Sequence, residues 1–493
     1  MLFNSAYFLF LFLPLVLLGF HFLIARGLSG AAKVWLVFAS LYFYAFWKLD
    51  YLPILLISIL ANFACGLLLT KYRERLSEHG SRLVLITGIS LNLLLLGYFK
   101  YLSFLLEIFS ALTTATLTID ELLLPLAISF FTFQQIAYLV DCYKGFSSEY
   151  KFLNYCVFVS FFPQLIAGPI VHHKQMMPQF ESLQGTMALE KKNRLMMQGI
   201  FIFSIGLFKK VCIADTFATF ANVGYASASL NFIEAWMTSL SYTMQLYYDF
   251  SGYSDMAIGA ALMFGIRLPI NFLSPYRARN IQIFWRSWHI TLSNWLRDYV
   301  FIPFGGSRGT LWLVCRNLMI TFIIGGIWHG AGWTFIVWGG LHGAAMVVHR
   351  LWCILPLVMP GWIAWLITFN FVNLAWVFFR SENMEQALTI IRAMTSPVDL
   401  GLSGDFIYRS MVANESPFFA IIATALGSWI LALAIAMVAI SVWLRNSIEM
   451  SGYQDENTRS ISVPKTLLAG LAFAMAALMI LSGSPSVFLY FNF

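Results

Sequence analysis

The sequence predicts an all-α fold: a polytopic transmembrane bundle with broken or re-entrant helices around an internal cavity. Three observations carry this. Of 493 residues, 60% are hydrophobic and only 11% are charged, against roughly 25% charged in a soluble protein. Mean hydropathy is +0.76, more apolar surface than a soluble core could bury. The apolar residues also fall into runs close to the ~20 residues that a helix needs to cross a bilayer.

Taken in order, the runs lie at about 6–24, 33–47, 52–70, 83–99, 102–118, 121–140, 153–170, 197–220, 232–248, 255–266, 311–328, 334–349, 355–378, 417–444 and 465–490. The first has no basic flank before it and no small-residue cleavage pattern after it, so it reads as a retained span. The runs at 153–170, 255–266 and 311–349 carry Gly or Pro and read as broken or re-entrant. Such segments are tolerated only where protein or a wet cavity takes up the freed backbone groups. The basic loop Lys71–Arg82 reads as cytoplasmic, which puts the N-terminus outside and the Arg26–Lys33 turn inside. The segment 445–465 reads as a plain loop. Residues 1–385 read as a membrane core, and 386–493 as helices completing the same domain.

The net charge of +7 marks cytoplasmic loops here, not nucleic-acid binding. The six cysteines are scattered without a C-x-x-C and read as small buried hydrophobes. There is no phosphate-binding glycine loop, no G-x-S-x-G and no H-E-x-x-H, so ATP hydrolysis, serine-esterase and zinc-protease chemistry lack support. No metal site is expected. His172 and His173 are adjacent, and neighbouring side chains on a helix point about 100° apart, a poor chelate.

Polar groups inside apolar sequence are the functional candidates, because an ionisable side chain at membrane depth must face a partner or a wet cavity. His329 lies in the middle of an apolar run, between Trp328 and Trp333, with His342 further on. Three readings stand: a helix-packing imidazole, a proton relay in a transporter, or the base of an acyl transfer, in which a neutral imidazole removes a hydroxyl proton. Asp249 and Asp255, amid tyrosines and serines, read as a buried network that could pair with nearby arginines. From Arg267 to Arg308 there are six arginines, no lysine and one acid, Asp298. Within that stretch Phe284, Trp288, Leu292 and Trp295 recur at helical spacing, which predicts one amphipathic helix over 281–298. Its arginines read either as an anchor to lipid phosphates or as an anion site for a phosphate-bearing substrate.

Several stretches together resemble the membrane-bound O-acyltransferase (MBOAT) family: Met1–Pro14, Gly97–Tyr101, Ile128–Gln134, Phe162–Phe180, Leu246–Asp255, Phe284–Gly306 and Gly325–Gly343. The likeness is to its bacterial branch, typified by the membrane subunit of alginate O-acetylation, and runs to about residue 385. Relative to that subunit, Gly168–Pro178 differs and the last hundred residues align poorly. The resemblance implies a helical membrane fold with a central tunnel holding the family's histidine. That histidine maps onto His329, as catalytic base or acyl-transfer centre. The family's second signature position, filled by Asn, Asp or His, maps onto His289 in Trp285-Arg286-Ser287-Trp288-His289, where it orients groups at the cytoplasmic mouth. Trp285, Trp328, Asp249, Asp255 and the arginines Arg277, Arg279 and Arg286 are the accompanying candidates for donor or substrate binding. The resemblance also implies a multi-pass protein of the bacterial inner membrane, with no bound cofactor and with acetyl-coenzyme A as acyl donor. Its partners would be a periplasmic SGNH-type acetyltransferase or another polysaccharide-modifying protein, membrane lipids, and a polysaccharide acceptor of the alginate, cellulose or peptidoglycan type. Teichoic acid D-alanylation is a more distant relative of this activity. A transporter or flippase for a lipid-linked glycan or acyl carrier is the alternative. Such proteins show internal pseudo-symmetry, and no repeat is visible here.

Overall fold

The computed structural model describes residues 1–113, 124–149, 151–182, 189–398, 403–412, 430–454, 461–483 and 488–489. Among these there are helices and turns and no strand. Six helices of the described residues are long and apolar enough to cross a membrane: Phe8–Ala25, Leu49–Leu69, Glu78–Thr113, Leu311–His329, Gly361–Arg380 and Val463–Ser482. Of the expected spans 102–118, 121–140, 417–444 and 465–490, residues 114–118, 121–123, 417–429, 484–487 and 490 lie outside the described residues. The chain divides into two compact units, Met1–Ile200 with Ala257–Pro269, and Phe201–Met256 with Ile270–Phe493.

In the first unit α1 (Phe8–Ala25) and α2 (Ser29–Ala45) form a hairpin. Trp35 Nε1 donates to the Val16 carbonyl at 3.0 Å. α3 (Leu49–Leu69) and α4 (Glu78–Thr113) pack with α5 (Ile128–Tyr143) through Gly66 and Gly88, whose missing Cβ atoms leave room for Tyr138 and Leu139. Asn62 and Asn92 exchange side-chain hydrogen bonds between α3 and α4 at 3.3 and 2.7 Å, the polar glue typical of apolar bundles. α4 joins two expected runs, 83–99 and 102–118, through one π-helical turn at Gly97–Tyr101.

The expected break within 153–170 is present. α6 (Phe152–Ser160) and α7 (Phe162–Leu165) meet at Phe161, where ψ is 106°. Near the break, the Phe158 carbonyl accepts from Gln134 Nε2 at 2.8 Å and Gln164 Nε2 at 2.7 Å. The Phe162 N–H donates to Ser40 Oγ at 3.1 Å. Side chains thus satisfy the polar backbone of the break, which is the condition for a broken span inside a membrane. α8 (His173–Ser182) follows.

α9 (Leu189–Phe208), α10 (Asp215–Tyr225) and α11 (Phe232–Met263) come next. α11 corrects one expectation. The runs 232–248 and 255–266 are one continuous helix of 32 residues; the polar stretch between them lowers hydropathy without breaking the helix, with Asp249 paired to Lys210 and Ser254 Oγ accepting from Asn271 Nδ2. After α12 (Ile281–Ser287) and α13 (Ile290–Leu296) come α14 (Leu311–His329) and α15 (Trp333–Trp352). These two, expected to be broken, are continuous. Their glycines serve close approach instead: a Cβ at Gly326 would stand 2.3 Å from the Phe335 carbonyl oxygen, and one at Gly339 2.5 Å from that of Phe322. Small residues are how apolar helices bring their backbones together. α16 (Gly361–Arg380), α17 (Met384–Thr395), α18 (Gly404–Val412), α19 (Ile430–Trp443), α20 (Ser447–Ser451) and α21 (Val463–Ser482) complete the described helices. α20 corrects the reading of 445–465 as a plain loop. Asn446 and Glu449 form a capping box that starts it.

Candidate active site

The single amphipathic helix expected over 281–298 is two seven-residue helices, α12 and α13, with Trp288 and His289 between them. The four apolar residues of its expected face are all buried. The break lies at His289, whose φ of 41° and ψ of 54° are left-handed. Holding a non-glycine residue in this region costs of order 1–3 kcal/mol and needs over-determined surroundings. Asn271 supplies them. Its carbonyl accepts from the Ile290 N–H at 3.0 Å, and its Oδ1 accepts from Thr291 Oγ1 at 2.7 Å. Asn, Asp and His tolerate this backbone better than most residues, and β-branched residues least. His289→Asn should therefore keep the wild-type melting temperature in detergent, while His289→Val should lose about 1–3 kcal/mol. Equal stability of the two variants would remove the backbone argument.

His329 is the last residue of α14, followed by Gly330 in extended conformation. It is buried, and rings surround it: Trp328 at 4.9 Å, Trp338 at 5.1 Å and Phe379 at 5.1 Å between centroids. Trp328 also neighbours His289, at 6.3 Å, and Phe250 stands edge-on to His289 at 4.8 Å. On the other side Trp338 lies 4.7 Å from His342. Trp285 Nε1 donates to His342 Nδ1 at 3.2 Å, which assigns the His342 hydrogen to Nε2. Three histidines that the sequence separates thus share one aromatic cluster, with Trp285 and Trp328 inside it.

The cluster is also polar in places. Trp338 Nε1 and His342 Nε2 are buried within it and have no hydrogen-bond partner among the described residues. Roughly 90% or more of buried polar groups in proteins are bonded. A bound molecule with its own donors and acceptors would complete this set.

Asp249 and Asp255 take lysines, not arginines, as partners. Lys210 Nζ lies 2.6 Å from Asp249 Oδ1 and 2.8 Å from Asp215 Oδ1. Lys209 Nζ lies 2.7 Å from Asp255 Oδ2, which also accepts from Ser447 Oγ at 2.6 Å. The other Asp249 oxygen accepts from the Leu489 N–H at 3.0 Å. Gly206 and Gly252 make these pairs possible. Each meets the other's carbonyl at 2.7 Å from its missing Cβ, so the two backbones touch and both lysines reach α11. The buried network expected around the two aspartates is thus built on Lys209 and Lys210 in place of nearby arginines.

The MBOAT, membrane-bound O-acyltransferase family, matches residues 38–385. The chain belongs to this family. It is therefore an acyltransferase that requires an acyl donor, and a multi-pass membrane protein. The peptidoglycan O-acetyltransferase of Helicobacter pylori is 47% identical over 100% of the chain and 98% of its own length. A probable alginate O-acetylase of Pseudomonas aeruginosa is 40% identical over 80% of the chain and 75% of its own length. The teichoic acid D-alanyltransferase of Bacillus subtilis is 28% identical over 52% of the chain and 69% of its own length.

In this MBOAT chain the arginines disperse. Arg277 donates through Nε to the Val442 carbonyl at 2.6 Å and through Nη2 to that of Leu444, and faces Glu449 at 3.5 Å. It holds the end of α19. Arg279 lies against Gly361 and, like Arg286, is exposed. Sequence reasoning missed Lys209 and Lys210, which lie inside the 197–220 run, and Asn271, which bears no charge. The two lysines carried a usable signal, being cations at membrane depth.

Proposed function

We propose that this MBOAT enzyme sits in the bacterial inner membrane and moves acetyl groups from cytoplasmic acetyl-coenzyme A toward the O-acetylation of peptidoglycan, with His329 as its base. The observation that carries the chemistry is the aromatic enclosure of a buried imidazole at the end of α14. Enclosure excludes water, which would otherwise hydrolyse a thioester. In the reaction His329 takes the proton of the hydroxyl that first receives the acetyl group, ahead of the glycan, as its oxygen attacks the thioester carbonyl. A C–O bond forms, the C–S bond breaks, and the proton passes to the leaving thiolate. Trp285 and Trp328 wall the site, and His289 orients groups within it. A periplasmic SGNH-type acetyltransferase is the partner that would place the acetyl group on the glycan.

The acceptor reading rests on the Helicobacter pylori relative, which aligns end to end, whereas the alginate relative leaves a fifth of the chain unmatched. Its test is a deletion strain. Purified sacculi should lose their alkali-labile acetate and regain it on complementation. If sacculi keep their acetate while another surface glycan loses it, peptidoglycan is the wrong acceptor.

For the donor, Arg279 and Arg286, both exposed, are the proposed phosphate contacts, while Arg277 is engaged by the Val442 and Leu444 carbonyls. Hydrogen bonds to charged groups are worth roughly 1.5–3 kcal/mol each. Replacing Arg279 and Arg286 with Gln should therefore weaken acetyl-coenzyme A binding, measured by calorimetry on the detergent-solubilised protein, by about tenfold or more. Unchanged affinity would reassign them to lipid headgroups.

A further inference from the structure

The unit formed by Met1–Ile200 and Ala257–Pro269 holds a second constellation of reactive groups, which the acyl-transfer reading does not use. Ser147, Glu149 and His173 are each buried to within 7% exposure. Ser147 Oγ lies 2.8 Å from His173 Nδ1, and His173 Nε2 lies 3.3 Å from Glu149 Oε2. Glu149 Oε1 accepts from the Lys151 N–H at 2.8 Å. All three side chains line a cavity of about 410 Å³, with Lys151, Asn154 and Lys174 among its other walls. Phe158 and Tyr138 pack on the imidazole at 5.2 and 5.5 Å and fix its plane.

The hydrogen bonds assign the protons. Burial alone would raise the Glu149 pKa, but the bonds from His173 and the Lys151 backbone outweigh it and hold the carboxyl below its usual range. An ionised Glu149 only accepts, so His173 carries its hydrogen on Nε2. Nδ1 is then the acceptor for the Ser147 hydroxyl. This is the electronic arrangement of a nucleophilic serine with its base and the group that orients the base.

The cavity also lies at a defined end of its unit. Arg73 Nη1 stands 3.8 Å from the missing Cβ of Gly145, and Lys33 Nζ donates to Asn154 Oδ1 at 2.8 Å. Both belong to the basic segments that the charge rule assigns to the cytoplasm. Soluble acyl thioesters are available on that side. Lys151 and Lys174 give the cavity cations suited to an anionic leaving group.

We propose that Ser147, His173 and Glu149 form a second nucleophilic centre, which accepts an acyl group from a soluble cytoplasmic thioester as an ester on Ser147. Ser147 Oγ attacks the thioester carbonyl and passes its proton to His173 Nδ1. The C–O bond forms, the C–S bond breaks, and His173 returns the proton to the departing thiolate. This rests on the thioester donor proposed above and gives that donor a second acceptor, Ser147, besides the hydroxyl served by His329.

The test uses the full chain in nanodiscs, incubated separately with radiolabelled acetyl-coenzyme A and with an acetyl-loaded acyl carrier protein. It is quenched in acid, digested and mapped by mass spectrometry. The acetyl group should appear on Ser147, and the thioester that delivers it identifies the donor. Ser147→Ala should abolish the label. Ser147→Cys should retain it as a thioester that neutral hydroxylamine cleaves, which also shows that the variant is folded. His173→Gln should slow labelling by about 10²–10⁴-fold, the usual contribution of a general base. No label on Ser147 from either donor, equal labelling in His173→Gln, or no hydroxylamine-labile label in Ser147→Cys would overturn the proposal. The two proposals fail separately. Ser147 labelling in a protein whose deletion leaves sacculi acetylated sinks only the acceptor reading. Loss of acetate on deletion, with Ser147 unlabelled, sinks only this one.

Discussion

Replacing His329 with Gln should reduce alkali-labile acetate in sacculi to the level of the deletion strain, with protein abundance unchanged. Glutamine fills a similar volume and keeps hydrogen-bonding capacity, so the aromatic cage of Trp328, Trp338 and Phe379 retains its packing. What is lost is a group able to take a proton near neutral pH. General-base catalysis contributes typically 10²–10⁴-fold, and a loss within that range is enough to bring a cell-wall modification down to background. Abundance is checked by immunoblot of the membrane fraction. Wild-type acetate at normal abundance would return His329 to a packing role, and with it the acyl-transfer assignment of this cluster.

Lys210→Met should unfold the protein before it affects chemistry. Lys210 and Asp249 side chains are only 3% and 2% exposed, and breaking a buried ion pair by removing one partner costs about 3–5 kcal/mol. That is a large share of the 5–15 kcal/mol by which domains are typically stable. The variant should accumulate poorly and melt early in detergent. Lys210→Met combined with Asp249→Leu should recover part of the loss, because the more buried of the two carboxylates that Lys210 pairs is then gone and only Asp215 is left without its cation. A single variant as stable as wild type would show that the pair does not hold α11 in place.

Which parts of this molecule could be read from its sequence follows from the range of the forces involved. Hydropathy is local, so spans such as Phe8–Ala25 and Leu311–His329 were visible, and so was the cost of His329 inside one. Gly168 and Pro169 signal a break within 153–170, but the helices part earlier, at Phe161, and the groups that satisfy that break, Gln134 and Ser40, come from other helices. Lys209 and Lys210 were diluted by apolar neighbours in any averaging window. Their partners on α11 lie 46 and 39 residues away (255 − 209 and 249 − 210), and no local rule joins them. Trp338 and Phe379 reach His329 only through the α14–α15 hairpin and α16. Helical periodicity over 281–298 described the buried face correctly and missed the turn, because the conformation of His289 is imposed by Asn271 from outside the segment.

That turn bears on how its family reads as a set of sequences. A position held at φ 41° admits a short alphabet, chiefly glycine and the residues whose side chains tolerate a left-handed backbone, Asn, Asp and His. The signature that the resemblance implies for this position is Asn, Asp or His. The substitutions accepted over evolutionary time can therefore trace a constraint on the main chain, with the reacting groups free to vary around it.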